Sequence, residues 1–243
     1  MQPVYDFVDQ CSADDTPFFL WYAPFLPHQP HNPPARLLEK YALPGVPEPI
    51  AKYRAMCEWF DETCGQLLAH LKEKGLAENT LVVFVIDNGW IQRPDAQGYA
   101  ERSKRTSYEG GVRTPILLRW PGKIAPRRRD VPISSVDLAP TILAACGLKA
   151  PAAWPGVDLR KLGKERGPIF GAAYTHDVVD VDDPAKSLLT RWILRDPYKL
   201  LVHTDPAQPD ELFDVRADPA EERPLDDVET AAALRDLLDR WFR

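Results

Sequence analysis

The stretch from Phe18 to Gly89 constrains the fold most, because its apolar pattern changes period twice. Phe18 to Ala23 is aromatic and apolar without alternation. Tyr53, Met56, Phe60, Cys64, Leu67 and Leu71 then recur every three to four residues, and the basic Lys72 and Lys74 lead into Gly75. Leu81 to Ile86 is again continuously apolar and stops at Asp87-Asn88-Gly89. Unbroken apolar runs suit strands covered on both faces, and the three-to-four spacing between them suits an amphipathic helix closed by a basic last turn and a glycine. Strand, helix, strand in this order predicts a crossover and therefore an α/β layer. In open α/β sheets the ligand crevice lies at the C-terminal ends of the strands, which is where Asp87 and Asn88 fall.

Beyond this unit, Pro115 to Trp120 reads as a third strand closed by Pro121-Gly122, and Asp137 to Cys146 as a short helix stopped by Gly147. After about residue 160 the texture changes. Ile169 to Tyr174, Ser187 to Leu194 and Tyr198 to His203 read as short strands, with an Asp196-Pro197 turn between the last two. Val228, Ala231, Leu234, Leu238 and Trp241 mark a closing helix. The expectation is a large α/β portion over 1–160 and a small antiparallel sheet with a helix over 161–243. The 25 prolines, about twice average usage, predict many fixed loops.

A net charge of -6 argues against a binder of phosphate backbones, so no nucleic-acid partner is expected. No apolar run approaches the roughly 20 residues of a membrane span, and Met1 to Asp15 lacks the basic start and apolar core of a signal peptide. Cys11, Cys57, Cys64 and Cys146 form no CxxC pair and read as packing thiols.

Three segments carry chemistry. Asp87 and Asn88 offer hard oxygen donors of the kind calcium or magnesium takes, or else a plain turn at a strand end. His28 and His31 lie in a proline-fixed loop, where an imidazole can donate to an anionic oxygen or move a proton; the bland alternative is an incidental surface loop. Lys104, within the basic run Arg102 to Arg105, can neutralise a sulfate or phosphate oxygen, while Glu109 and Arg113 can pair across Gly110-Gly111; the alternative is a solvated charge run.

The segments PFFLWYAPFLPHQPHNPP from Pro17, VVFVIDNG from Val82, KRTSYEGGVRTPILLRWPG from Lys104 and SSVDLAPTILAACG from Ser134 resemble, in order and spacing, the type I sulfatases of the alkaline phosphatase superfamily. The likeness runs over roughly residues 15 to 150, and the tail from Trp192 through Glu211 to Val215 and Asp218 to Glu222 resembles their C-terminal subdomain. On this likeness the chain is the C-terminal half only, its remaining elements expected before Met1.

The resemblance implies part of a doubly wound mixed sheet of the alkaline phosphatase-like fold, with the small antiparallel sheet and helix appended. It implies that Asp87 and Asn88 bind calcium and that Lys104 contacts the sulfate. It makes His28 a catalytic residue that positions sulfate or assists the leaving group, with His31 a second candidate, for substrate. Trp90 would shape the mouth of the pocket or serve packing. A sulfated small molecule or glycan is the implied substrate, and a periplasmic or secreted location the implied compartment.

In that family a formylglycine made from a CxPxR or SxPxR element attacks sulfur, and neither element occurs in these 243 residues. Calcium takes six to eight oxygens, more than Asp87 and Asn88 supply. The expectation is therefore the anion- and metal-binding side of a sulfuric ester hydrolase, inactive and marginally stable as an isolated chain. Two rivals stand beside it. One is a non-catalytic sulfatase-like module that binds an anion or a partner. The other is a phosphohydrolase of the same superfamily, against which Asn88 in place of a histidine speaks.

Overall fold

Three helices carry the first part of the chain in the computed structural model, which describes residues 1–242: α1 (Gln2–Ala13), α2 (Ala35–Tyr41) and α3 (Glu48–Glu73). They belong to a unit made of Met1–Val83, Ile91–Ala100 and Leu118–Ala125. The periodic residues after Pro49 form α3 as expected. A proline in its first turn and Glu48 suit the positive end of the helix dipole, and His70 and Lys72 suit the negative end. Gly75 then turns the chain at φ 72°, a left-handed conformation that glycine adopts without strain. Ala51, Ala55, Met56 and Leu71 are the buried positions of α3. Arg36 of α2 reaches Glu62 of α3 at 2.6 Å, and Asp9 of α1 meets both His70 and Lys74 at 2.8 Å. The helix α1, with Val8 fully buried, was not anticipated from the sequence.

The expected strand over Phe18 to Ala23 is corrected. That segment enters no sheet among the described residues, and Phe19 and Trp21 are 69% and 81% exposed. An apolar run becomes a strand only when a neighbour takes its N–H and C=O groups, and no described strand does so. The other two expected strands are present but shorter. β1 (Val82–Val85) and β2 (Ile116–Arg119) pair as a two-stranded sheet. Val85 and Leu117 are exposed, so the burial on both faces expected of these runs does not hold.

The second unit comprises Phe84–Trp90, Glu101–Leu117 and Pro126–Arg243. It holds the short helix α4 (Glu109–Val112), the helix α5 (Leu138–Ala145) and an antiparallel sheet of β3 (Ile169–Tyr174), β4 (Leu188–Arg195), β5 (Tyr198–His203) and β6 (Glu211–Asp214), in that spatial order. The helix α6 (Val228–Trp241) packs on β4 and β5. The small C-terminal sheet and helix read from the sequence are thus present, with β6 as an added strand. Side chains alternate across the sheet. Ile193, Leu200, Val202 and Leu212 turn toward Leu234 and Leu238 of α6, while Leu201, Phe213 and Val215 pack with Tyr108, Trp192 and Leu194. Burial on both faces explains why β5 reads as a nearly continuous apolar run.

Two further details lock this unit. Gly171 lies opposite Trp192, and a Cβ there would fall 2.3 Å from the indole. Asp137, fully buried, accepts from the backbone of Ser134 and Val157 at 2.9 Å and from Arg166 at 2.6 Å, tying the start of α5 to the following loop.

Leu238 of α6 is the deepest probe of this core. Leu238→Ala is expected to lower unfolding stability by about 2–5 kcal/mol in urea titration, against less than about 1 kcal/mol for Leu189→Ala on the exposed part of β4.

Candidate functional site

The end of β1 runs directly into Asp87-Asn88-Gly89-Trp90, and a backbone contact holds this turn in place. The Gly89 N–H donates to the Gly111 carbonyl at 2.8 Å. A Cβ on Gly89 would fall 2.2 Å from the Gly110 oxygen, and one on Gly111 would fall 2.4 Å from the Ser103 oxygen. Neither position admits a side chain, so the glycines let three backbone segments touch. Asp87 is exposed, and the Asn88 side-chain amide donates to the Gly89 carbonyl at 2.9 Å.

The basic run packs onto the same place. Ser103 is fully buried, and its carbonyl accepts from the Thr106 N–H at 3.1 Å and from the Thr106 hydroxyl at 2.7 Å. This turn carries Lys104 so that its ammonium sits 5.7 Å from the centre of the Trp90 ring, a cation–π arrangement. The structure therefore brings Trp90 and Lys104 together beside the Asp87–Asn88 turn. The run is not a freely solvated charge string. The Arg102 guanidinium lies 4.5 Å over Tyr108 and donates to the Glu221 carbonyl.

Beneath the loop lies a buried charge cluster. Lys199 of β5 is fully buried, with its ammonium 2.9 Å from Glu109 and 3.0 Å from Glu221. The Glu109 N–H donates to the Glu221 carboxylate. Burial pushes the Glu221 carboxyl above the usual carboxylate range, with the Lys199 charge acting against it. The expected Glu109–Arg113 pair is present at 4.0 Å, with the Arg113 side chain mostly in solvent, and Lys199 is the nearer and buried partner of Glu109. Lys199 escaped the sequence reading, although a lone lysine inside the apolar run Tyr198 to Val202 was the available sign.

The histidine loop belongs to the first unit. Its Leu26-Pro27 and Gln29-Pro30 bonds are cis. His28 is exposed and donates from Nδ1 to the Gln29 carbonyl at 2.8 Å, so Nε2 is the ring nitrogen not used in that bond. His31 is 3% exposed, with its ring 5.5 Å from that of Tyr53. Burial first, then the nearby charges of His28 and Lys52, hold its pKa below the ordinary imidazole range. The two histidines are thus chemically unlike.

Among the described residues, no three His, Cys, Asp or Glu side chains gather as a metal-holding group. Asp87 and Asn88 contribute carboxylate and amide oxygens, a hard donor pair suited to calcium but short of a full shell.

Two family models match the chain: "Sulfatase" over residues 1–148 and "N-sulphoglucosamine sulphohydrolase, C-terminal" over residues 98–241. Together they take in nearly the whole chain, which corrects its reading as a C-terminal half only. The motif likeness began near residue 15, whereas the sulfatase match includes α1. Arylsulfatase A of Homo sapiens is 34% identical over 163 residues, 65% of this chain and 31% of that protein. Endo-4-O-sulfatase of Bacteroides thetaiotaomicron is 38% identical over 104 residues, 42% of this chain and 19% of that protein. A sulfatase of Bacteroides fragilis superposes with a TM-score of 0.81 at 24% identity, covering 99% of this chain and 57% of the other. The chain spans less than a third of the two curated relatives and just over half of the solved structure.

The buried His31 generates a pH prediction. Its folded pKa lies below the unfolded value of about 6.5, so the unfolded chain takes up the proton first. The stability it contributes is full above that value and is lost as pH falls toward the folded pKa. Urea titrations at about pH 7.5 and about pH 5 should show a larger acid loss for the natural chain than for His31→Phe.

Proposed function

Because the chain belongs to the sulfatase family, we propose that its strand-end turn and basic loop form the anion- and metal-binding side of a sulfuric ester hydrolase site. The observation that carries this reading is the seating of Lys104 against Trp90 next to Asp87 and Asn88, through the Gly89–Gly111 contact. A sulfate ester presents terminal oxygens that share negative charge, and a mobile ammonium with three donors can follow that charge as the ester bond breaks.

Asp87 and Asn88 are the residues assigned to calcium, which when bound draws charge from sulfate oxygens. Further oxygen ligands must complete the shell. Trp90 holds the Lys104 ammonium over its ring and limits where it can reach. His28, whose Nδ1 is engaged, has Nε2 for positioning sulfate or assisting the leaving oxygen, and His31 is assigned to substrate on the family resemblance alone. Its buried, neutral ring makes it the weaker candidate.

A sulfated small molecule or glycan is the proposed substrate. The endo-4-O-sulfatase relative and the N-sulphoglucosamine model support this reading. A periplasmic or secreted location goes with it. We assign residues 1–160 to the α/β catalytic portion and 161–243 to a small α+β subdomain.

A second reading is favoured by one observation: no CxPxR or SxPxR element occurs in the 243 residues. On that reading the chain binds anions without turning them over. The phosphohydrolase alternative is disfavoured by the amide at Asn88.

Calorimetric titration with inorganic sulfate in the presence of calcium tests the site. The chain should bind sulfate, and Lys104→Met should weaken binding about tenfold or more, since loss of a charge-assisted contact is worth over 1 kcal/mol. Unchanged affinity in that variant would overturn the assignment. Incubation of the same chain with 4-nitrophenyl sulfate separates the readings: release of nitrophenol supports hydrolysis, and binding without release supports the module.

A further inference from the structure

We infer that Lys199 and Glu221 are positioning residues that clamp both ends of the Lys104 loop, making the C-terminal sheet a determinant of anion affinity. The inference deepens the reading of Lys104 as the sulfate contact and rests on it.

Glu221 meets the loop twice. Its backbone carbonyl accepts from the Arg102 guanidinium, and its carboxylate accepts from the Glu109 N–H. Lys104 lies between these two anchors. Glu221 itself sits at φ 55°, a left-handed conformation that a non-glycine residue keeps only when its surroundings fix it. The fixing partner is Lys199, whose buried ammonium bridges the Glu221 and Glu109 carboxylates at 3.0 and 2.9 Å.

The tie extends to the other half of the turn. Glu109 begins α4, whose Gly111 carbonyl takes the Gly89 N–H beside Asn88. The same Gly111 leaves no room for a Cβ beside the Ser103 carbonyl, immediately before Lys104. From the Lys199 ammonium, one chain of contacts therefore reaches both the Asp87–Asn88 turn and Lys104.

Stability alone does not call for this cluster. A buried ammonium loses its hydration, and replacing buried ion pairs with well-packed apolar groups is often neutral or stabilising. Leu201 and Phe213 on the same face show that apolar side chains fit there. What an apolar residue cannot do is hold the Glu109 and Glu221 carboxylates side by side, with that of Glu221 aimed at the Glu109 N–H. Directional hydrogen bonds hold a binding geometry to the fraction of an ångström that anion recognition needs.

The test compares Lys199→Met, Lys199→Arg and Glu221→Gln in the 243-residue chain, measuring sulfate affinity with calcium present, urea midpoint, and hydrogen exchange at the amides of residues 103–109. Lys199→Met should weaken sulfate binding about tenfold and also lower the urea midpoint, because it strips the buried Glu109 and Glu221 carboxylates of their cation, and Lys199→Arg should recover part of both. Combined with Lys104→Met, Lys199→Met should add no further loss, because it acts through Lys104. Loop amides should exchange about tenfold faster in Lys199→Met and Glu221→Gln.

A folded Lys199→Met that binds sulfate as the natural chain does overturns the inference. If the natural chain binds no sulfate, the assignment of Lys104 fails, and loop exchange still decides the clamp: protection unchanged in Lys199→Met overturns it. If Lys199→Met does not fold, Glu221→Gln decides by the same exchange measurement.

Discussion

A lysine ammonium held out of water between two carboxylates is the interaction on which the second unit depends. Lys199 can occupy the sheet interior only because Glu109 and Glu221 meet it at hydrogen-bonding distance. Glu109 arrives from a loop ninety residues earlier in the chain and Glu221 from the turn after β6. The ion cluster thus joins the Lys104 loop to the antiparallel sheet, and Tyr108 beside it packs on Phe213 of the same face. The opposite face is closed by α6, so the sheet is a rigid base with an apolar side and a side that carries the candidate site.

On this base the candidate site is assembled by backbone contact. Gly89, Gly110 and Gly111 approach closer than any Cβ would allow, and that approach sets Asp87 and Asn88 beside the turn that carries Lys104. Trp90 then confines the ammonium. The glycines of the Asp-Asn-Gly and Glu-Gly-Gly runs therefore serve geometry, bringing the charged neighbours close together. The histidine loop belongs to the first unit, where proline geometry leaves His28 in solvent and His31 buried.

Local pattern made much of this legible in the sequence. The period of α3, the apolar runs ending at Asp87 and Gly122, and the short apolar segments of Ile169 to His203 with their Asp196-Pro197 turn each report short-range physics, and each became the expected kind of element. The basic run around Lys104 could be read from charge and glycine content. Failures came where the outcome depended on distant partners. Phe18 to Ala23 has the composition of a strand but pairs with no strand among the described residues, and Glu109 has, besides the neighbouring Arg113, a second and buried partner in Lys199 of β5. The helix α1 buries a single residue, Val8, so its segment carries little apolar period to read. The extent of the family likeness was likewise underread, since motif matching saw chemistry-bearing segments and not the helix before them.

The central claim is that one oxyanion site lies between Lys104 and the Asp87–Asn88 turn. Crystals grown with calcium and selenate, an anomalously scattering mimic of sulfate, test it most directly. The account predicts a selenium peak within hydrogen-bonding reach of the Lys104 ammonium and a calcium peak on the Asp87 and Asn88 oxygens. A well-ordered loop with no selenium at Lys104, or selenium bound only on the exposed Arg127 and Arg128, would contradict it.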